Sequence, residues 1–504
     1  MNNPFMKSLT IVALGALMIT QTSCSKDDEN TTAKPDVTYY TLEEGNILKQ
    51  ANTQNPASPM LTVAVTGLNG INEEITAIDF RPATGELYGV SSENNIYVIN
   101  STTGKARAIS STPLSSNIEG NAVALDFNPT VDRIRLVTNT GQNLRLHPET
   151  GAIVATDGRI NGADVNIEAV AYTNNFSGST STVLYDIDQK TDKLYKQDPP
   201  NNGTLVEVGN LGVDITAAAG FDISSDGKSA LCALQVNNIW ELRQIDLTTG
   251  ATTKISDLPN GTYKGIAIPS APISYAVDDN NNLVYINFEA TANTITKPIT
   301  GLATGESIVG LDFRPFNGQL YAISSQSKIY TINLGNGAAT QVGTSPLTTL
   351  LIGTSFGFDF NPTVDRIRLT SNTGLNLRLH PETGLIAAVD GMLNPGTPSI
   401  CASAYTNNFA GATTTVLFNI DNNADVLYKQ DPPNNGGLVA VGPLGVNVES
   451  AAGFDIGSQT GIAYAALKVG SQTSLYTINL TTGAATKIQD FSFNVNAFTV
   501  GTGF

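Results

Sequence analysis

Few side chains in this sequence could do chemistry, and most of those come in pairs. His147 and His380 are the only histidines, and each begins the same string, His-Pro-Glu-Thr-Gly. A Ser-His-Asp set needs its base beside its nucleophile, so each copy would have to build a complete set of its own. No G-x-S-x-G elbow, P-loop or H-E-x-x-H pair supplies another hydrolytic or nucleotide-binding centre. Placed before a tight turn, the two histidines read as local hydrogen-bonding groups.

Carboxylates offer more. Asp186, Asp188 and Asp192 form a D-x-D-x-x-x-D string, matched by Asn419, Asp421 and Asp425. Clustered oxygens on a loop can hold calcium, although the glycine and the distant bidentate glutamate of an EF-hand loop are missing. A polar β-turn is the competing reading, as it is for Asp278 to Asn282. Asp79, Asp126 and Asp222, with their copies Asp312, Asp359 and Asp455, each stand beside a phenylalanine in the first strand of a repeated motif. An acidic ring there would suit a metal-dependent hydrolase or lyase. The alternative is a structural motif that hydrogen-bonds the neighbouring backbone.

Arg133, Arg135 and Arg145 recur as Arg366, Arg368 and Arg378. Strand alternation puts the arginines on one face and the aliphatics on the other. They would either grip a carboxylate or acidic sugar through paired hydrogen bonds, or join an ion-pair network with Asp126, Asp132 and Glu149.

The elements that would position these groups are strands. Asp126 to Gly151 and Asp359 to Gly384 differ at three positions, and an offset of 233 residues also relates the Tyr-Thr-Asn-Asn-Phe and Gln-Asp-Pro-Pro-Asn-Asn-Gly strings. The chain is therefore a duplication. Within each half, short alternating apolar segments separated by Gly, Asn or Pro recur about every 45 residues, four to a repeat, as in a β-propeller blade. Quartets near Ile308, Val123, Glu168 and Ala218 are joined by a split one. Tyr39 to Thr66 supplies three strands of it and Tyr263 to Ile268 the fourth. The expected fold is all-β, two tandem five-bladed propellers at 38–270 and 271–504, with a single ten-bladed ring as the alternative.

The N-terminus reads as an address. Lys7, an apolar run from Leu9 to Ile19, and Gln21-Thr22-Ser23-Cys24 form a secretory signal over 1–23. Its ending on a lone cysteine resembles a bacterial lipoprotein signal, which implies lipidation of Cys24. The following Ser25-Lys26-Asp27-Asp28-Glu29 resembles the surface-export signal of Bacteroidetes-type lipoproteins, and 24–37 reads as a polar tether. Attachment to the outer membrane, exposed on the cell surface, would come through lipid alone. Cys232 and Cys401 fall at non-equivalent places and read as buried small apolar residues. A net charge of −17 argues against nucleic acid.

The strings DFRPATGELYG, DFNPTVDRIRL, NLRLHPETG, AYTNNF and AAGFDI resemble the bacterial domain-of-unknown-function family 4394, twice over. The resemblance implies a secreted or surface-attached propeller-type protein and brings no catalytic residues with it. The favoured expectation is a non-enzymatic module for a glycan or another extracellular ligand, with calcium as a possible cofactor. Turns around Asn139 and Asn143, with copies Asn372 and Asn376, are its candidate contacts. A channel-acid enzyme and a surface assembly platform are the alternatives.

Overall fold

The computed structural model describes residues 34–161, 166–270, 273–288 and 294–504. The signal segment 1–23, Cys24 and most of the tether lie outside them. Pro35–Phe504 form one compact unit, built of ten four-stranded antiparallel sheets. No helix among the described residues is long and apolar enough to cross a membrane.

Burial along the strands explains why they form. Leu87–Ser91, Leu184–Asp188 and Leu417–Asp421 are buried throughout, as second strands sandwiched between neighbouring sheets. Outermost strands such as Ile153–Thr156 and Ile386–Val389 alternate half-buried and exposed residues, because one face is wet. Turns between strands use Asp and Asn in the left-handed region, Asp132 and Asp365 both at φ 51. Their short polar side chains tolerate that conformation. The core lies between adjacent sheets; in one such layer Tyr88, Phe127, Ile134 and Leu144 pack together.

Eight sheets are each made from four consecutive strands. The other two are split as the sequence suggests. Tyr263–Ala267 pairs antiparallel with Thr38–Glu43, setting Thr41 opposite Ile266. Val495–Val500 pairs in the same way with Ile273–Asp278. First strands come close to their neighbours, and glycine makes the approach possible. A Cβ at Gly453 would sit 2.2 Å from the Phe498 carbonyl oxygen, and one at Gly220 2.6 Å from the Ile266 nitrogen.

The two copies pack on each other. Tyr275 Oη donates to the Ala83 carbonyl at 2.6 Å, Arg81 Nη1 to the Gly318 carbonyl at 3.3 Å, and Gly503 N to the Thr84 carbonyl at 2.7 Å. Ser101 Oγ donates to Gln459 Oε1 at 2.9 Å. Equal sequences thus end in unequal surroundings.

Candidate functional site

Five of the arginines are buried: 81, 135, 243, 314 and 368. Each meets a carboxylate. Arg135 Nη1 lies 2.7 Å from Asp157 Oδ2, and Arg145 grips the same carboxylate at 2.7 and 2.9 Å. Arg368 and Arg378 repeat this on Asp390. Arg133 donates to the backbone carbonyls of Val131 and Asp132. The repeated arginines therefore form an internal network, but its partner is Asp157, which sequence reasoning did not single out. Asp132 and Glu149 instead serve Arg81.

Asn143 and Asn376 belong to the same network. Each accepts from its arginine and donates to two backbone carbonyls. Asn139 and Asn372 staple their own loops, to Asn121 and Thr354. All four turn asparagines are thus engaged within the protein. His147 and His380 accept at Nδ1 from the N–H two residues on. Burial, then Arg133 and Arg81, pushes the His147 pKa down to about 4. Cys232 and Cys401 are buried free thiols.

Asp186, Asp188 and Asp192 do not converge. Asp188 accepts from the N–H groups of Asn166 and Lys190 and from Thr191 Oγ1. Asp192 accepts from Ile215 N. Asp186 is fully buried with neither oxygen partnered, and burial pushes its pKa well above the usual carboxylate range. Its counterpart Asn419 donates to Gln430 Oε1 at 2.8 Å, whereas Gln197 Oε1, the matching acceptor, has no donor. A neutral carboxyl at Asp186 satisfies that pattern.

The other acids do converge. Asp79, Asp126 and Asp222 each bring an oxygen within 4.8 Å of the others, and Asp312, Asp359 and Asp455 do the same; all six are buried. Asp79 accepts from Phe80 and Phe127 N–H, Asp126 from Tyr172, and Asp222 from Ile223 and Ile268. Five N–H groups from five sheets thus meet six oxygens, and Asp126 Oδ2 is left over. Asp359 Oδ2 is the leftover of the second set. There Thr499 Oγ1 adds bonds to Asp455 Oδ2 at 2.7 Å and Asp312 Oδ1 at 3.3 Å. Burial, then neighbouring carboxylates, holds Asp79, Asp126, Asp312 and Asp359 well above the carboxylate range, and burial pushes Asp222 to about 7. Their geometry could hold a cation; burial and the mutual repulsion of the carboxylates favour a retained proton, against the N–H groups, which stabilise the charged form. The voids lined by the residues that precede these acids, Ile78, Leu125 and Phe221 in one copy and Leu311, Phe358 and Phe454 in the other, are about 10 Å3 each, about one water.

The larger opening lies between the copies. A cleft of about 500 Å3 is walled by Glu86, Arg107 and neighbours from the first half, and by Asn408, Phe409 and Thr502 from the second. A neighbouring hollow of about 750 Å3 shares Lys105, Arg107 and Gly411 and adds Phe316. Four buried polar atoms here have no partner: Glu86 Oε2, Arg107 Nη1, Asn408 Oδ1 and Thr502 Oγ1. Phe316 and Phe409 are exposed at 50% and 37%, too much for core residues. Sequence reasoning missed this site.

Sheets and cleft together define a duplicated all-β protein with a polar cavity between its copies. Residues 47–267 and 282–500 each match the family model described as Domain of unknown function (DUF4394), and the chain belongs to that family. No curated protein matches the chain.

Proposed function

We propose that this is a surface-tethered binding protein, made of two five-bladed propellers, that holds an extracellular ligand in the cleft between them. The carrying observation is a cavity walled by both halves, four of whose lining residues each carry a buried polar atom with no hydrogen-bond partner. Leaving such groups unpaired costs about 1–3 kcal/mol each, so a ligand that pairs them has a ready source of affinity. Ring closure is supported by the split sheets and by contact between first strands in cyclic order: Ile75–Phe80, Val123–Asn128, Ile167–Tyr172, Ala217–Ile223, Tyr263–Ala267 and back to the first. The second half repeats that order. The enzymatic alternative would need substrate to reach fully buried acids beside water-sized voids.

A glycan-array and thermal-shift screen of residues 36–504, with and without calcium, tests the reading. The expected result is a ligand that raises the melting temperature of the parent and loses its effect in Thr502→Val and Phe409→Ala. A ligand whose effect survives both substitutions would place binding elsewhere.

The tether reading rests on the sequence at Cys24. Cys24→Ala is expected to move the protein from the membrane fraction to the soluble one. Unchanged fractionation would rule out lipid as the anchor.

A further inference from the structure

We infer that the cleft selects an acidic carbohydrate, with a uronate carboxylate on Arg107; this rests on the cleft being the ligand site. Arg107 is half-buried, and its Nη1 is buried without a hydrogen-bond acceptor. Every fully buried arginine among the described residues has a carboxylate within ion-pair distance, and Arg107 has none. A guanidinium with open donors, one of them held out of water, is matched best by a planar carboxylate. Lys105 beside it adds a second cation, so that Arg107 and Lys105 match Glu86 and Glu93 of the cleft and its neighbouring hollow in a chain of net charge −17.

The rest of the wall asks for hydroxyl groups. Glu86 Oε2 and Asn408 Oδ1 are acceptors without donors, and Thr502 Oγ1 can accept or donate. These three residues are only 7%, 2% and 5% exposed, so a ligand reaches their free atoms by a small shift of the side chains. Ring hydroxyls supply the missing donors. The exposed ring of Phe409 offers an apolar platform for a sugar ring, while the Phe316 ring lies under the guanidinium groups of Arg314 and Arg107, 5.0 and 6.0 Å from its centre. The cavity is of ordinary size for a small ligand.

Divergence between the copies falls on the charged part of the site, whereas Asn408 and Phe409 recur as Asn175 and Phe176, the asparagine with the same unpartnered Oδ1. Arg107 corresponds to Thr340, Glu86 to Gln319 and Phe316 to Ala83. The three charged groups of the cleft, Glu86, Lys105 and Arg107, thus exist in one copy only, Lys105 corresponding to Ala338. A charge pair kept for blade architecture would recur in both.

Calorimetric titration of residues 36–504 with oligomers of galacturonate, glucuronate and mannuronate, and with neutral oligosaccharides of the same length, tests this. Expected is binding of at least one uronate oligomer that weakens with added salt and falls about tenfold to a hundredfold in Arg107→Met. Neutral oligomers should bind more weakly and equally well to parent and variant. Neutral oligomers binding as tightly as uronates would overturn the acidic preference and leave the cleft reading standing. Uronate binding that ignores Arg107→Met, Thr502→Val and Phe409→Ala alike would overturn both. No binding of any uronate would overturn the inference, and the neutral oligomers would then judge the cleft alone.

Discussion

Arg81→Leu is expected to lower the unfolding free energy by about 3–5 kcal/mol, while the equivalent Arg314→Leu costs about 1 kcal/mol. Both arginines bind the same two partners: Arg81 grips Asp132 at 2.9 and 2.5 Å and reaches Glu149 at 3.1 Å, and Arg314 does likewise with Asp365 and Glu382. Their surroundings differ. The Arg81 side chain is fully buried and its carboxylates are 9% exposed, whereas Asp365 and Glu382 are 33% and 65% exposed. Removing Arg81 strands two negative charges out of water; removing Arg314 leaves charges that water already solvates. Burial, opposed by Arg81, already pushes Glu149 up to about 7. Denaturant unfolding of both variants gives the comparison. Adding Asp132→Asn and Glu149→Gln to Arg81→Leu should recover much of the loss, since asparagine tolerates the positive φ at 132. Equal costs at 81 and 314 would refute the account.

The second large effect is alkaline. Both acid clusters hold carboxylates whose pKa values burial raises, with Asp222 near 7. Unfolded aspartate titrates near pH 3.9. Below that pH, folded and unfolded chains both hold these protons, and the clusters contribute their full stability. Between there and the raised folded values only the folded chain keeps them, so stability falls as pH rises, by about 1.4 kcal/mol per pH unit for each retained proton. In Asp126→Asn with Asp359→Asn, an amide N–H takes over the position of the oxygen that lacked a donor, and it does not titrate. The double variant should match the parent near pH 4 and melt higher near pH 8, by roughly 2–4 °C per kcal/mol recovered. A variant that melts lower than the parent at pH 8 would show that the carboxylates are needed in ionised form, as around a bound cation.

How much of this was readable in advance depended on whether the residues involved repeat. The duplication, the quartets of strands and the split sheet show in the strings around Asp126, Asp359 and Tyr263, because periodicity records which face each residue presents. The six acids were noticed for the same reason, though the count of five N–H groups against six oxygens needs three dimensions. Arg135 and Arg368 were visible, but Asp157 and its copy Asp390, which lie just beyond the long near-identical strings, were not. The cleft was hidden because Glu86, Arg107, Asn408 and Thr502 come from four separate segments that no single motif joins. One signal was available, the places where otherwise equal copies differ in charge, at Arg107 against Thr340 and Glu86 against Gln319.

The split sheets also set an order in time. Thr38–Glu43 leaves the ribosome long before Tyr263–Ala267, its partner, exists. The first strands of each copy therefore wait with an open edge while three or more quartets form behind them. Such edges invite wrong partners, and the near-identical second copy is the nearest wrong partner of all. Tyr263–Ala267 arrives before that copy has any strands to offer, so a chain emerging from its N-terminus can seal one half before the other is able to compete for it.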